Sequence, residues 1–284
     1  MSTTVLVAGA TGNVGRATVT ALARRGATVR AGTRKPEHYQ PPASGVSAVH
    51  LDFNDPDSFA PALADCERLF LMAAPLDAGS APKLRGLLDR AKAAGLERAV
   101  LLSAMGIEHA PASPLGQVEA GLMGSGMGWT ILRPNWFLDN FHPGWMGAMV
   151  KSGTIALPAG DARVSFIAAE DIGEAAAVAL TEEGHLERAY TLTGPESLSW
   201  EEVAAHFAHA TGRPVKYLAI SDEDMRQAMA ARGLPPAALD YLSALFAPMR
   251  AGHSAAVTTE LKGLIGRAPR SLADFTARHA RAWA

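Results

Sequence analysis

Apolar positions along this chain follow two periods in alternation, and the alternation itself predicts the fold. The continuous run Val5-Leu6-Val7-Ala8 predicts a buried strand, and Val14, Thr18, Ala21 and Leu22 then recur at helical spacing up to a stop near Gly26. Thr28–Thr33 and Ser47–Leu51 read as second and third strands, and Asn54-Asp55-Pro56-Asp57 as a turn that caps a helix starting near Ser58. Arg68–Met72 is a fourth strand. Pro82 to Ala94 is a helix with Leu84, Leu87, Leu88 and Ala91 on one face, stopped by Gly95, and Arg98–Ser103 is a strand. Trp129–Leu132 is a further buried strand; Asp171 is placed as the cap of a helix running through Ile172, Ala175, Ala176, Ala179 and Leu180, with Ala189–Thr193 as a strand behind it. Strand and helix in regular turn imply an α/β fold, a doubly wound parallel sheet with helices on both faces.

Beyond residue 193 the pattern becomes helical. Ser199 with Glu202 is a capping box, Ser221 with Asp224 caps a second helix, Tyr241, Leu245, Phe246 and Met249 mark a third, and Ser271 with Asp274 starts the last. This divides the chain into a larger α/β part, residues 1–155 with a strand and helix from about 164–193 returning to it, and a smaller, mainly helical lobe over residues 194–284.

Composition narrows the class. Hydrophobic residues make up 48% of 284, enough for a sizeable core, and the formal net charge is −2, which gives no general attraction to nucleic acid or anionic membrane. Residues 250–284 carry six Arg/Lys against two acids, spaced as a solvated helix face. The one cysteine, Cys66, excludes an internal disulfide and a cysteine-rich metal site, and no metal is expected. A strand beginning almost at residue 1 and the lack of a ~20-residue apolar run lead us to expect a cytoplasmic protein, monomer or homodimer, acting on a small molecule.

The chemistry begins at Gly9-Ala10-Thr11-Gly12-Asn13-Val14-Gly15, between the first strand and the first helix. Glycines let the backbone approach a pyrophosphate, and the helix N-terminus stabilises its charge. A glycine turn needed only for steric reasons would look the same, so the flanking strand and helix carry the reading. The second strand closes in Thr33-Arg34-Lys35 where an NAD site usually has a carboxylate, so we expect NADP(H), with Arg34 matched to a 2′-phosphate rather than a solvated loop charge. Asp52 and Phe53 close the third strand. They suit an adenine by hydrogen bond and packing, or equally an Asx turn with a core ring. Ala73-Ala74-Pro75 leaves space for a ligand at the end of the fourth strand. Of candidates for chemistry, Ser103 closes the fifth strand, while Gln117 and Glu119 lie on a helix where facing solvent is the default. Asn135 and Trp136, after Pro134, are placed to line a nicotinamide or substrate pocket, and His142 is the nearest group able to donate a proton near pH 7. Trp145, Met149, Tyr241, Phe246 and Met249, with Trp136, are the expected substrate lining. No tyrosine lies between Tyr39 and Tyr190, so the Tyr-xxx-Lys pair of standard short-chain dehydrogenases is missing.

These residues resemble the NmrA-like branch of atypical short-chain dehydrogenases, and within it bacterial NADPH-dependent quinone, azo-dye and triphenylmethane-dye reductases. The resemblance rests on Gly9–Gly15, Arg34, Leu51-Asp52-Phe53, Trp129–Phe137 and Glu170-Asp171-Ile172. It implies a Rossmann-type fold, a pyrophosphate on the glycine loop, Arg34 on the 2′-phosphate, Ala73-Ala74-Pro75 beside the nicotinamide ribose and Pro134–Leu138 flanking the nicotinamide. It implies either hydride transfer to an apolar, conjugated acceptor or, as in some members, an NADP(H)-sensing role without turnover.

Overall fold

The computed structural model describes residues 3–73 and 79–283. In chain order these form β1 (Thr4–Ala8), α1 (Asn13–Arg24), β2 (Thr28–Thr33), β3 (Val46–His50), α2 (Phe59–Leu63), β4 (Arg68–Met72), α3 (Ser80–Ala93), β5 (Arg98–Leu102), α4 (Pro114–Met123) and β6 (Gly128–Pro134). There follow α5 (Gly147–Lys151), β7 (Thr154–Leu157), β8 (Arg163–Val164), α6 (Ala169–Thr181), β9 (Arg188–Leu192), β10 (Leu198–Ser199), α7 (Trp200–Thr211), β11 (Lys216–Ala219), α8 (Asp222–Ala231), α9 (Pro236–Arg250), α10 (Glu260–Ile265) and α11 (Leu272–His279).

Two compact units result. The first takes residues 1–134, 169–192 and 260–267, and the second 135–168, 193–259 and 268–284. Residues 135–155, assigned from sequence to the larger α/β part, group with the second unit, because Leu138, Phe141, Met146 and Val150 bury themselves in its core.

The first unit is built on a seven-stranded parallel sheet in the order β3-β2-β1-β4-β5-β6-β9, the doubly wound, Rossmann-type arrangement. Its central strands β1, β4 and β5 are near-continuous apolar runs because helices cover both faces; Val5, Leu6 and Val7 are wholly buried. Pairing of Val7 with Ala31 and Phe70, and of Met72 with Leu102, lines up the carboxyl ends of the central strands along one edge. On one face α1 packs against α6. That approach is close: a Cβ on Gly173 would lie 2.5 Å from the backbone carbon of Ala17. The far end of α6 is held by arginines from the strands beneath. Arg98 donates to the carbonyls of Ala179 (3.2 Å) and Glu182 (2.8 Å), and Arg68 donates to that of Leu180. Asp171 sits inside the first turn of α6 rather than capping it, since the helix starts at Ala169. It is fully buried and accepts from Arg267 at 2.7 Å, which ties α10 to α6.

The second unit has a core of Phe141, Phe166, Trp200, Phe207, Phe275 and Trp283, around which α7, α8, α9 and α11 are arranged. The three predicted capping boxes are present, Ser199 with Glu202, Ser221 with Asp224 and Ser271 with Asp274. Two short strand pairs that the helical pattern did not announce complete it, β7 with β11 in parallel and β8 with β10 antiparallel.

Candidate functional site

At the carboxyl edge of β1 the chain turns through Gly9 in the left-handed region, φ +74°. The turn closes with Gly12 N–H donating to the Gly9 carbonyl at 3.0 Å, and Ala10 N–H donates to the Gly32 carbonyl at 3.2 Å. Gly15 is required by sterics, because a Cβ there would stand 2.1 Å from the Gly9 oxygen. Gly12, the residue before α1, has no side chain to cap the helix, and the first turn carries no acid. The N–H groups of that turn therefore face outward with no carboxylate competing for them, the arrangement that accepts an anion. Ala10 and Val14 bury their side chains in the core, so only their backbone is offered at this surface, whereas Thr11, Gly12 and Asn13 are exposed.

Beside this turn lies an open cleft of about 920 Å³. It is lined by Thr11 and Arg16 from the turn and α1, by Thr33, Arg34 and Lys35 closing β2, and by Tyr39 and Asp52 among others. Three permanent cations thus border one cleft. Arg16 is held over the turn by Nε donating to the Thr11 carbonyl at 2.9 Å. Burial pushes the Tyr39 phenol above its ordinary value, with the Arg16 guanidinium acting in the opposite sense. Sequence reasoning passed over Arg16 and Tyr39; one sits a turn into a helix and the other in a loop, so only the folded chain brings them beside Arg34. Asp52 forms the Asx turn weighed above, Oδ1 accepting from Asn54 N–H at 2.9 Å, and Phe53 packs edge-on against Phe59 at 6.4 Å. The residues present fit a dinucleotide carrying an extra phosphate: a glycine cradle that a Cβ would block, and cations at the end of β2.

Ala73 closes β4 half-buried; Ala74 and Pro75 lie outside the described residues. Ser103 closes β5, and its hydroxyl donates to Oε1 of Glu119 at 2.5 Å. Glu119 does not face solvent as its helix position suggested. It is 3% exposed, and Arg133 grips both of its oxygens, Nε to Oε1 at 3.0 Å and Nη2 to Oε2 at 2.6 Å. Glu108 stands 3.5 Å from the same guanidinium, whose pKa the hydrogen-bonded Glu119 raises. The signal for this was present in α4, where Leu115, Val118, Glu119 and Leu122 fall at i, i+3, i+4 and i+7, so one carboxylate lies within an apolar stripe. Gln117, by contrast, is exposed and donates to the Ala112 carbonyl at 3.1 Å, away from Ser103 and Glu119. Pro134 is buried as the last residue of β6.

The remaining predicted residues belong to the second unit. Asn135 is 4% exposed and spends its amide inside the protein: Nδ2 donates to Ser165 Oγ and to the Ser254 carbonyl, both at 2.7 Å, and Oδ1 accepts from Trp136 N–H. Its geometry is that of a strut. Trp136 is half-buried with its ring 5.1 Å from that of Phe246. Phe246 and Met249, expected to line a substrate pocket, are fully buried in the unit's own core, since the apolar face of α9 packs inward. Met149 packs partly buried against that core, Tyr241 is half-buried, and Trp145 is 42% exposed. His142 lies tilted against His279, ring centroids 5.0 Å apart, and meets Trp283 edge-on at 6.0 Å. Among the described residues no cluster of side chains could hold a metal, and no helix is long and apolar enough to cross a membrane.

Comparison with known proteins agrees with this geometry. The profile of the NAD(P)H-binding family matches residues 9–183, from the glycine turn past α6. An NAD(P)H azoreductase of Xenophilus azovorans is 34% identical, with 98% of this chain and 99% of that protein covered. Among solved structures, an NADPH-dependent quinone oxidoreductase of Escherichia coli, complexed with NADPH, superposes with a TM-score of 0.86 at 26% identity, covering 96% of this chain and 99% of that one. A triphenylmethane reductase of Citrobacter sp., complexed with NADP(H), gives a TM-score of 0.83 at 25% identity over 99% and 100% of the two chains. The chain therefore belongs to the NAD(P)H-binding family and stands among its NAD(P)H-dependent reductases.

Proposed function

We propose that the protein is an NADPH-dependent reductase that passes hydride to an apolar, conjugated acceptor such as a quinone, an azo or cationic dye, an imine or an enone. The observation that carries the cofactor half is the convergence of Arg16, Arg34 and Lys35 on one cleft beside the glycine turn. A ribose 2′-hydroxyl needs an acceptor, whereas a 2′-phosphate needs cations, and an arginine fork matches its geometry. The glycine turn and the first turn of α1 hold the pyrophosphate through backbone N–H groups.

Bound NADPH supplies the hydride, so the protein's own task is to bind, orient and exclude water. The acceptor half of the proposal follows from what α4 lacks. Its sequence Pro114–Met123 holds neither a tyrosine nor a lysine, so this helix supplies no phenol to protonate a carbonyl oxygen. An electron-poor or cationic acceptor needs little such help. The azoreductase, quinone oxidoreductase and triphenylmethane reductase similarities support the same class of acceptor.

The test is the rate of NADPH oxidation by the purified chain, followed at fixed cofactor with a quinone, an azo dye, a cationic triphenylmethane dye, a cyclic imine and an enone. Oxidation well above the acceptor-free and protein-free controls with at least one of them is the expected result. NADPH binding without acceptor-dependent oxidation by any of the five would reject turnover and leave a cofactor-sensing role.

A further inference from the structure

Glu119 is a carboxylate removed from water, held in a network that stability alone does not require. Burying a carboxylate is costly unless it is fully paired, and apolar side chains of similar volume often hold such a position as well. Here the pairing is complete. Arg133 satisfies both oxygens, and the remaining capacity of Oε1 is used by a single neutral group, the Ser103 hydroxyl. Because that hydroxyl commits its only hydrogen to Glu119, Ser103 Oγ retains acceptor lone pairs and nothing else. Among the described residues nothing donates to it.

The place of Ser103 says what it could accept from. In the order β3-β2-β1-β4-β5 the cationic cleft lies at the end of β2, the glycine turn at the end of β1, and Ser103 at the end of β5. With strands about 4.8 Å apart, Ser103 is about 10 Å from the glycine turn, on the side away from the cleft. A dinucleotide with its 2′-phosphate at β2 and its pyrophosphate on the turn directs its other end across β4 toward β5. That end bears a carboxamide, a group with two N–H donors.

We propose that Ser103 accepts a hydrogen bond from the nicotinamide carboxamide N–H, and that Glu119 and Arg133 are positioning residues that hold the Ser103 hydroxyl in its acceptor orientation. The proposal rests on the NADPH reading above. It makes Ser103 a group that sets which way the nicotinamide ring is held, and it removes Ser103 from consideration as a proton donor.

The experiment is calorimetric titration of the full chain with three probes: NADP+, its 3-acetylpyridine analogue, in which a methyl ketone replaces the carboxamide and no N–H remains, and adenosine 2′,5′-bisphosphate, which lacks the nicotinamide half. Wild type is expected to bind NADP+ about three- to tenfold more tightly than the acetyl analogue, the worth of one neutral hydrogen bond. Ser103→Ala is expected to bind both equally while holding adenosine 2′,5′-bisphosphate as wild type does, and Ser103→Thr to keep the preference. Glu119→Leu is expected to lose it too, because the Ser103 hydrogen then has no carboxylate to donate to and the hydroxyl is released from its acceptor orientation, whereas Glu119→Gln, whose carbonyl can take both the Ser103 and the Arg133 Nε donors, is expected to keep it. A Ser103→Ala variant that weakens all three probes alike, or that keeps the preference, overturns the proposal; should Glu119→Leu fold poorly, the Ser103 pair decides alone. Wild type that binds none of the three probes sinks the NADPH reading itself, which is distinguishable from either result.

Discussion

Arg34 reaches the cleft from the end of a strand, Arg16 from the first turn of a helix, and neither has a carboxylate in the first turn of α1 to neutralise it. A charge-assisted hydrogen bond to phosphate is worth about 1.5–3 kcal/mol. Arg34→Glu should therefore weaken NADPH binding roughly 10- to 100-fold, with a far smaller effect on NADH, as a paired titration would measure. Unchanged NADPH affinity in that variant would remove Arg34 from the site. At this scale the sequence was informative about placement where that follows from a strand edge, as for Arg34 and the Gly9–Gly15 turn, which lie beside one cleft. It misled where the role depends on which way a side chain is consumed. Asn135 looked like a ligand group and spends its amide on Ser165 and Ser254, while Glu119 looked solvated and is buried against Arg133. Spacing along the chain cannot report partners that are 30 or 119 residues away.

Among the elements, α1 and α6 decide how firmly the glycine turn is held. Gly173 permits their contact, with Ala17 and Thr18 backbone atoms within 2.6 Å of where a Cβ would stand. Gly173→Ala is expected to force the helices apart, costing about 1–3 kcal/mol in thermal or urea unfolding and loosening NADPH binding through the displaced turn. In the second unit the starts of α7, α8 and α11 are set by capping boxes. The Asp274 carboxyl is held below its ordinary value, first by the Ser271 hydroxyl and then by the Ser271 N–H. Its folded pKa lies below the unfolded one, so this stabilisation is complete above the ordinary carboxylate range and is lost as pH falls through it toward the folded value. Ser271→Ala should lower stability by about 1 kcal/mol near pH 7, and the urea midpoint of that variant should fall less between pH 7 and pH 3 than that of wild type. The strands and helices of the first unit other than α10, and the three capping boxes, were legible from periodicity and from Ser-x-x-acid spacing; α10, expected within the second lobe, belongs to the first unit. The pairs β7–β11 and β8–β10 were not, because two to four residues are too few to show a period and their partners lie far along the chain.

For the whole molecule, the order β3-β2-β1-β4-β5-β6-β9 gathers the glycine turn, the cationic cleft and the Ser103–Glu119–Arg133 network on one sheet edge. Alternating β and α segments imply a parallel sheet and therefore such an edge, so the location of the site was readable before its contents were. The acceptor was not readable, since the residues expected to line its pocket divide between the core and the surface of the second unit: Phe246 and Met249 are fully buried, Trp145 is 42% exposed. The central claim is that this edge binds NADPH in preference to NADH and delivers its hydride. The most direct measurement is kcat/KM of the full chain for NADPH and for NADH with one quinone acceptor at saturating concentration. Acceptor-dependent turnover is expected, with NADPH favoured at least roughly tenfold, the effect of a single charge-assisted phosphate contact. Equal kcat/KM for the two cofactors, or no acceptor-dependent oxidation of either, would contradict it.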